Sequence, residues 1–169
     1  MERAKIEFFE GFADLCKALP QPGAFLLVAD QKGKHNVMTI GWACLGIVWG
    51  EPVLEVLVRP SRHTFGLMEA AKHFSLNVPI GKLQKKLAFC GAKSGRDTDK
   101  LEACGLRLLP GLTKDVSVID GCDLYFECRT IHKTQVVKEN LDPALVRQYY
   151  PGDDFHTVYS GKVLETYRG

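Results

Sequence analysis

The chain lacks the short signatures that announce most nucleotide-binding and hydrolytic proteins. It has no Walker-type lysine loop, no G-x-G-x-x-G after a strand and no G-x-S-x-G elbow. Its six cysteines (Cys16, Cys44, Cys90, Cys104, Cys122, Cys128) include no C-x-x-C pair and have no histidines at metal-ligand spacing. They therefore read as free buried thiols, with a redox pair assembled in space as the alternative. Charge of one sign is also scarce: 22 Lys and Arg stand against 20 Asp and Glu, a formal net charge of +2. Bulk nucleic-acid binding needs a dense basic surface, so no nucleic-acid partner is expected and any anion site must be local. The longest apolar stretches, 24–29 and 40–48, are far shorter than the roughly 20 residues of a membrane-spanning helix. The acidic, amphipathic start (Glu2, Glu7 and Glu10 among Ile6, Phe8, Phe9 and Phe12) lacks the order of a secretory leader. A cytoplasmic protein without a membrane partner is the expectation.

What is present is ordinary globular material, 46% hydrophobic and 25% charged over 169 residues, read as one domain spanning 1–169. Apolar spacing predicts a helix over 5–18 that ends before Pro20. A buried strand follows at 24–29, then the turn residues Asp30 to Lys34, a second strand over 35–46 and a third over 52–59. The period turns helical from Ser61 to His73 and returns to strand at 74–78. Short helices are expected at 81–89 and 98–104, the latter capped by Asp97 and ended by Gly105. Two long β segments, 122–137 and 156–167, flank a connector, 140–152, that includes a short helical turn. Strands in quick succession joined by turns indicate a mainly β, antiparallel architecture.

Three segments mix polar and apolar groups in ways a plain core would not. In Arg59-Pro60-Ser61-Arg62-His63-Thr64 a strand ends and a helix begins, with Ser61 as a natural N-cap and two basic residues in the first turn. The helix dipole disfavours positive charge there, and a bound phosphate would compensate it; a solvated basic turn is the plainer reading. The segment Lys93-Ser94-Gly95-Arg96-Asp97-Thr98-Asp99-Lys100 again places basic residues at a helix start, behind a glycine that lets the backbone curl. Asp97 and Asp99 could neutralise them, yet two such starts in a nearly neutral chain favour one shared anion. On the strand Asn36-Val37-Met38-Thr39-Ile40-Gly41-Trp42, positions 36, 38, 40 and 42 share one face, a surface suited to a flat heteroaromatic ring or to a core tryptophan. His35, His63, His73, His132 and His156 read individually as surface or capping residues.

Together with Phe74-Ser75-Leu76-Asn77-Val78-Pro79, these segments resemble the flavin reductase-like family, particularly its flavoredoxin-type members, in order and spacing from about Pro20 to Gly161. The resemblance implies an antiparallel split β-barrel of the FMN-binding type, mainly β (α+β) with short flanking helices, binding FMN at a homodimer interface. By position, Asn36, Met38, Thr39 and Trp42 would border the isoalloxazine, and Arg59, Ser61, Arg62 and Thr64 would hold the phosphate end. Asn77 and the loop of Ser94, Gly95, Arg96 and Lys100 would complete the pocket. It also implies an FMN-dependent oxidoreductase drawing on NAD(P)H or a protein donor and reducing a flavin, metal complex or other small-molecule acceptor. A flavoredoxin-like carrier with a protein redox partner, or a cofactor-free interaction module, are the alternatives. No catalytic side chain and no metal are called for, because the flavin carries the electrons.

Overall fold

A computed structural model describes residues 3–169. The chain opens with a two-residue strand, β1 (Ala4–Lys5), and passes through a 3₁₀ turn at Phe8–Gly11 into helix α1 (Phe12–Ala18). The helix expected from residue 5 therefore forms only in its second half. Leu15 and Ala18 supply its buried face while Phe9 and Phe12 stay exposed, and β1 pairs with the last strand instead.

Strands β2 (Ala24–Ala29) and β3 (His35–Ile40) make the expected hairpin. The Asp30 carboxylate fixes the turn by accepting hydrogen bonds from the Lys32 and Lys34 backbone N–H groups, both at 2.8 Å. The single strand expected over 35–46 is divided at Gly41 and Trp42: β4 (Ala43–Val48) pairs with β5 (Glu51–Val58), not with β2. Helix α2 (His63–Ala70), strand β6 (His73–Val78) and helix α3 (Gln84–Ala92) follow. Next come α4 (Lys100–Ala103) and a small ribbon, β7 (Leu108–Pro110) and β8 (Ser117–Ile119), which was not foreseen. Strand β9 (Leu124–Gln135), a 3₁₀ turn at Lys138–Asn140, helix α5 (Pro143–Tyr149) and strand β10 (Thr157–Arg168) complete the chain.

The main sheet runs β3-β2-β6-β9-β10-β5-β4, antiparallel at every pairing, with β1 alongside β10. Its two end strands, β3 and β4, are consecutive in sequence and separated by only Gly41 and Trp42. Two residues span so little distance that the sheet must curl until its ends meet. The ends approach without pairing, which is the split in the barrel.

The strands bury both faces. Leu26, Val28, Met38, Ile40, Leu76, Val78 and Phe126 join one apolar cluster, while their neighbours Phe25, Leu27, Val37 and Tyr125 join a second with Leu87 of α3 and Val118 and Ile119 of β8. Burial on both sides explains why β2 reads as an unbroken apolar run, since no alternate position faces water. By contrast β4, at the open edge, leaves Cys44 and Ile47 exposed.

Both helix-cap expectations shift by one or two residues. Arg62, not Ser61, occupies the N-cap of α2, because the Ser61 hydroxyl and backbone N–H are held by the Asp154 carboxylate. Asp99, not Asp97, caps α4, its carboxylate accepting from the Leu101 and Glu102 N–H groups.

Candidate functional site

The start of α2, the end of α3 and the loop after it converge on one recess of about 130 Å³, lined by Met38, Ser61, Arg62, His63, Thr64, Cys90, Gly91, Lys93, Ser94, Gly95, Arg96 and Lys100. Four of these side chains, Arg62, Lys93, Arg96 and Lys100, are basic and none is a carboxylate. Helix α2 has no side-chain cap, so its first N–H groups add to the positive potential. Helix α4 contributes differently from expectation. Its amino end is capped by Asp99, and the loop reaches the recess through side chains and not through a free helix start.

Three of the cations are held by neutral partners. Arg62 Nη1 donates to Gly91 O at 3.3 Å, Arg96 Nη1 to Ser61 O at 2.9 Å and Lys100 Nζ to Cys90 O at 3.2 Å. All three acceptors are neutral backbone carbonyls, and among the described residues none of these three cations makes an ion pair. Lys100 is only 4% exposed, and burial pushes its ammonium down from the ordinary value. His63 is held down likewise, by burial and then by the charges of Arg96 and Lys100. A buried cation facing no carboxylate is costly unless an anion completes it, so the recess fits a phosphate group.

A second recess of about 190 Å³ shares Met38 and Arg62 with the first and continues along Thr39, Ile40, Gly41, Trp42, Leu57, Arg59 and His156. Met38 and Ile40 point into the barrel core, whereas Thr39 lies on the other face, where its hydroxyl donates to Leu87 O at 2.7 Å. Trp42 falls in the break after β3, so it leaves the strand's alternation. Its ring meets Tyr149 edge-on at 5.0 Å and packs beside His156 at 5.1 Å. The result is a shelf whose apolar floor and aromatic rim adjoin the cationic recess.

The structure thus gathers Met38, Thr39, Trp42, Arg59, Ser61, Arg62, Thr64, Ser94, Gly95, Arg96 and Lys100 around two adjoining recesses. Asn36 stands just behind them: its amide donates to Thr64 Oγ1 at 2.8 Å, joining β3 to α2. Asn77 is not brought there. It is fully buried, its amide bonded to Ser75 Oγ at 3.0 Å and its carbonyl oxygen accepting from the Ile119 N–H at 2.8 Å, so it ties β6 to β8. Arg59 and Ser61 sit at the rim with much of their hydrogen-bonding capacity engaged. Arg59 donates to Asp154 O and Tyr149 O at 2.9 and 2.8 Å and stacks over the Tyr150 ring at 4.9 Å.

Sequence reasoning does not place His156 in the second recess or Tyr149 against Trp42 at its edge. His156 is 8% exposed, not a surface histidine, and its Nδ1 lies 2.7 Å from the Tyr150 hydroxyl. Burial, then the neighbouring Arg59, push its imidazole down to about 4. It is neutral in the folded protein, while the unfolded chain protonates near pH 6.5. Stability is therefore full above about pH 6.5 and is lost as pH falls toward 4. We expect a loss of about 2 kcal/mol over that window, reduced for the open mouth of the recess. Urea midpoints at pH 7.5 and 4.5 should converge in His156→Gln relative to the parent, and an equal acid loss in both would remove His156 as the cause.

A curled antiparallel sheet with its split beside these recesses is the fold of the split-barrel flavin-binding domains. Residues 17–168 match the flavin reductase like domain, and the chain belongs to that family. Flavoredoxin from Methanosarcina acetivorans is 26% identical and superimposes with a TM-score of 0.66, covering 87% of this chain and 68% of that one. The FMN-binding domain of a flavin reductases-like enzyme from Shewanella baltica has the same fold, with a TM-score of 0.68 at 23% identity over 99% of this chain and 77% of that one. An uncharacterized protein of Archaeoglobus fulgidus is 27% identical over 143 residues, 85% of this chain and 71% of the relative.

Proposed function

We propose that the chain binds FMN and acts as an oxidoreductase through it. The observation that carries this reading is the carboxylate-free recess of Arg62, Lys93, Arg96 and Lys100 opening onto the Met38-to-Trp42 shelf. The recess suits a terminal phosphate, by charge and by the uncapped start of α2. The shelf lined by residues 38–42 would suit a planar ring, with the exposed Trp42 side chain at its rim.

When bound, FMN accepts a hydride or single electrons, so the chain needs no nucleophile or general base of its own. Its residues bind and aim. Arg62, Arg96 and Lys100 neutralise the phosphate, while the Asn36–Thr64 bond keeps β3 and α2 in register. The rim of Trp42, Tyr149 and neutral His156 limits water at the ring's edge without adding charge. The physiological assembly is a homodimer in this reading, with the exposed Ile47 of β4 and Trp49 just after it as the apolar surface it would cover.

The test is spectroscopic. Purified protein titrated with FMN should take up one flavin per chain with a shifted visible spectrum, and NADH or NADPH should bleach it. Reduction only by a protein donor would identify a carrier, and protein that stays colourless in excess FMN would sink the proposal.

A further inference from the structure

Cys90 and Cys104 differ from the other four cysteines in lying together. Cys90 sits in the last turn of α3 and is 1% exposed, Cys104 is the partly exposed C-cap of α4, and their Sγ atoms are 4.0 Å apart. The thirteen-residue segment between them, 91–103, carries Lys93, Ser94, Gly95, Arg96 and Lys100, one whole wall of the cationic recess. Cys90 lines that recess itself. Residues 93–99 of this wall belong to no helix or strand. Arg96 Nη1 ties them to Ser61 O, two residues before α2 begins. A crosslink at the two ends of the segment would restrain all of it.

We propose that Cys90 and Cys104 form a reversible disulfide that clasps segment 91–103 and so slows release of a phosphate-bearing ligand from the recess. A disulfide bond is about 2.0 Å long, so the sulfurs approach by about 2 Å, within reach of side-chain rotation and a small movement of α4 toward α3. The oxidant is a low-molecular-weight disulfide of the glutathione class. Cys104, the accessible partner, attacks first: its thiolate bonds to one sulfur of the oxidant, and the S–S bond of the oxidant breaks to release one thiol. Cys90 then gives up its proton and attacks Cys104 Sγ, breaking the mixed disulfide and releasing the second thiol. Two protein thiols become one disulfide, and one small disulfide becomes two thiols, with two electrons passing from protein to oxidant. Burial and the adjacent Cys104 push the Cys90 thiol up to about 12, consistent with its role as the second, resolving sulfur.

The covalent step stands by itself, whereas the effect on ligand release rests on the FMN reading above. The experiment keeps the two apart. Full-length protein carrying Cys16→Ser and Cys44→Ser is equilibrated in glutathione buffers, trapped by alkylation and mapped by peptide mass spectrometry. Hydrogen exchange of residues 93–99 and the FMN dissociation rate are measured on the same samples. We expect a Cys90–Cys104 link under oxidising buffer, about tenfold slower exchange over 93–99 and about fivefold slower FMN release. Cys90→Ser and Cys104→Ser should each lose all three changes. Both thiols still alkylated in oxidised glutathione alone, or Cys104 arrested as the mixed disulfide, would overturn the proposal; so would a link that leaves exchange unaltered. If FMN binds in neither state the FMN reading fails, and mapping with hydrogen exchange still decides the clasp.

Discussion

Replacing Arg62 with alanine is expected to weaken FMN binding by about 100-fold while changing riboflavin binding by less than about threefold. The two ligands differ only in the phosphate, so their ratio isolates that group from the ring. Arg62 faces both recesses and has one long hydrogen bond, 3.3 Å to Gly91 O, which leaves most of its donors available. A pair of charge-assisted bonds to phosphate contributes roughly 2–3 kcal/mol, and Arg96 and Lys100 hold the loss to that range by retaining part of the charge. Arg62→Lys, which keeps the charge and loses the planar fork, should fall between, near tenfold. Quenching of flavin fluorescence measures the constants of both ligands for all three proteins. Equal losses for FMN and riboflavin would remove Arg62 from the phosphate end.

The second large effect is expected at Gly95, for steric and not electrostatic reasons. A Cβ there would stand 2.2 Å from Asn36 Oδ1 and 2.8 Å from His63 Cδ2. Asn36 is buried and bonded to Thr64, so it cannot withdraw without breaking the bond that joins β3 to α2. Gly95→Ala must therefore push the Ser94-to-Arg96 wall outward, costing about 1–3 kcal/mol of stability and moving Arg96 away from the recess. FMN affinity should drop at least about tenfold, with a fall in melting temperature of several degrees. Gly66→Ala serves as the comparison. It lies within α2 with nothing within 4 Å of its added Cβ, and should gain about 0.5–1 kcal/mol from helix propensity. Unchanged FMN binding in Gly95→Ala would show that this wall does not hold the ligand.

The same two segments show how far the site could be read from the chain. Basic residues at the starts of two helices pointed to one shared anion, and the fold does bring Arg62, Arg96 and Lys100 to one recess. The second helix start itself is closed, because Asp99 caps α4 and the charge arrives through side chains instead. Asn77 was placed near the pocket by its position within a matching segment. Its amide faces Ser75 and its carbonyl oxygen Ile119, and strand alternation alone could not say which side of β6 would be covered by the β7–β8 ribbon. That ribbon left little trace in sequence, since three-residue strands carry too few positions to establish a period.

His156 and Tyr149 went unread for a related reason. They come from the end of α5 and the residue just before β10, more than a hundred residues from Trp42, and only closure of the barrel sets them beside it. The division of residues 35–46 into two strands is the clearest case. Both halves have strand composition, and nothing local says that β3 and β4 belong to opposite ends of one sheet.

Local chemistry therefore determined the elements: apolar runs long enough for strands, turn residues between them, basic helix starts and the absence of any competing fingerprint. Tertiary structure alone decided which elements meet. Pairing across the sheet is a long-range event whose partners leave no mark on their own neighbours in the chain. Curling that sheet until β3 nears β4 is what turns scattered cations and aromatics into one recess beside one shelf.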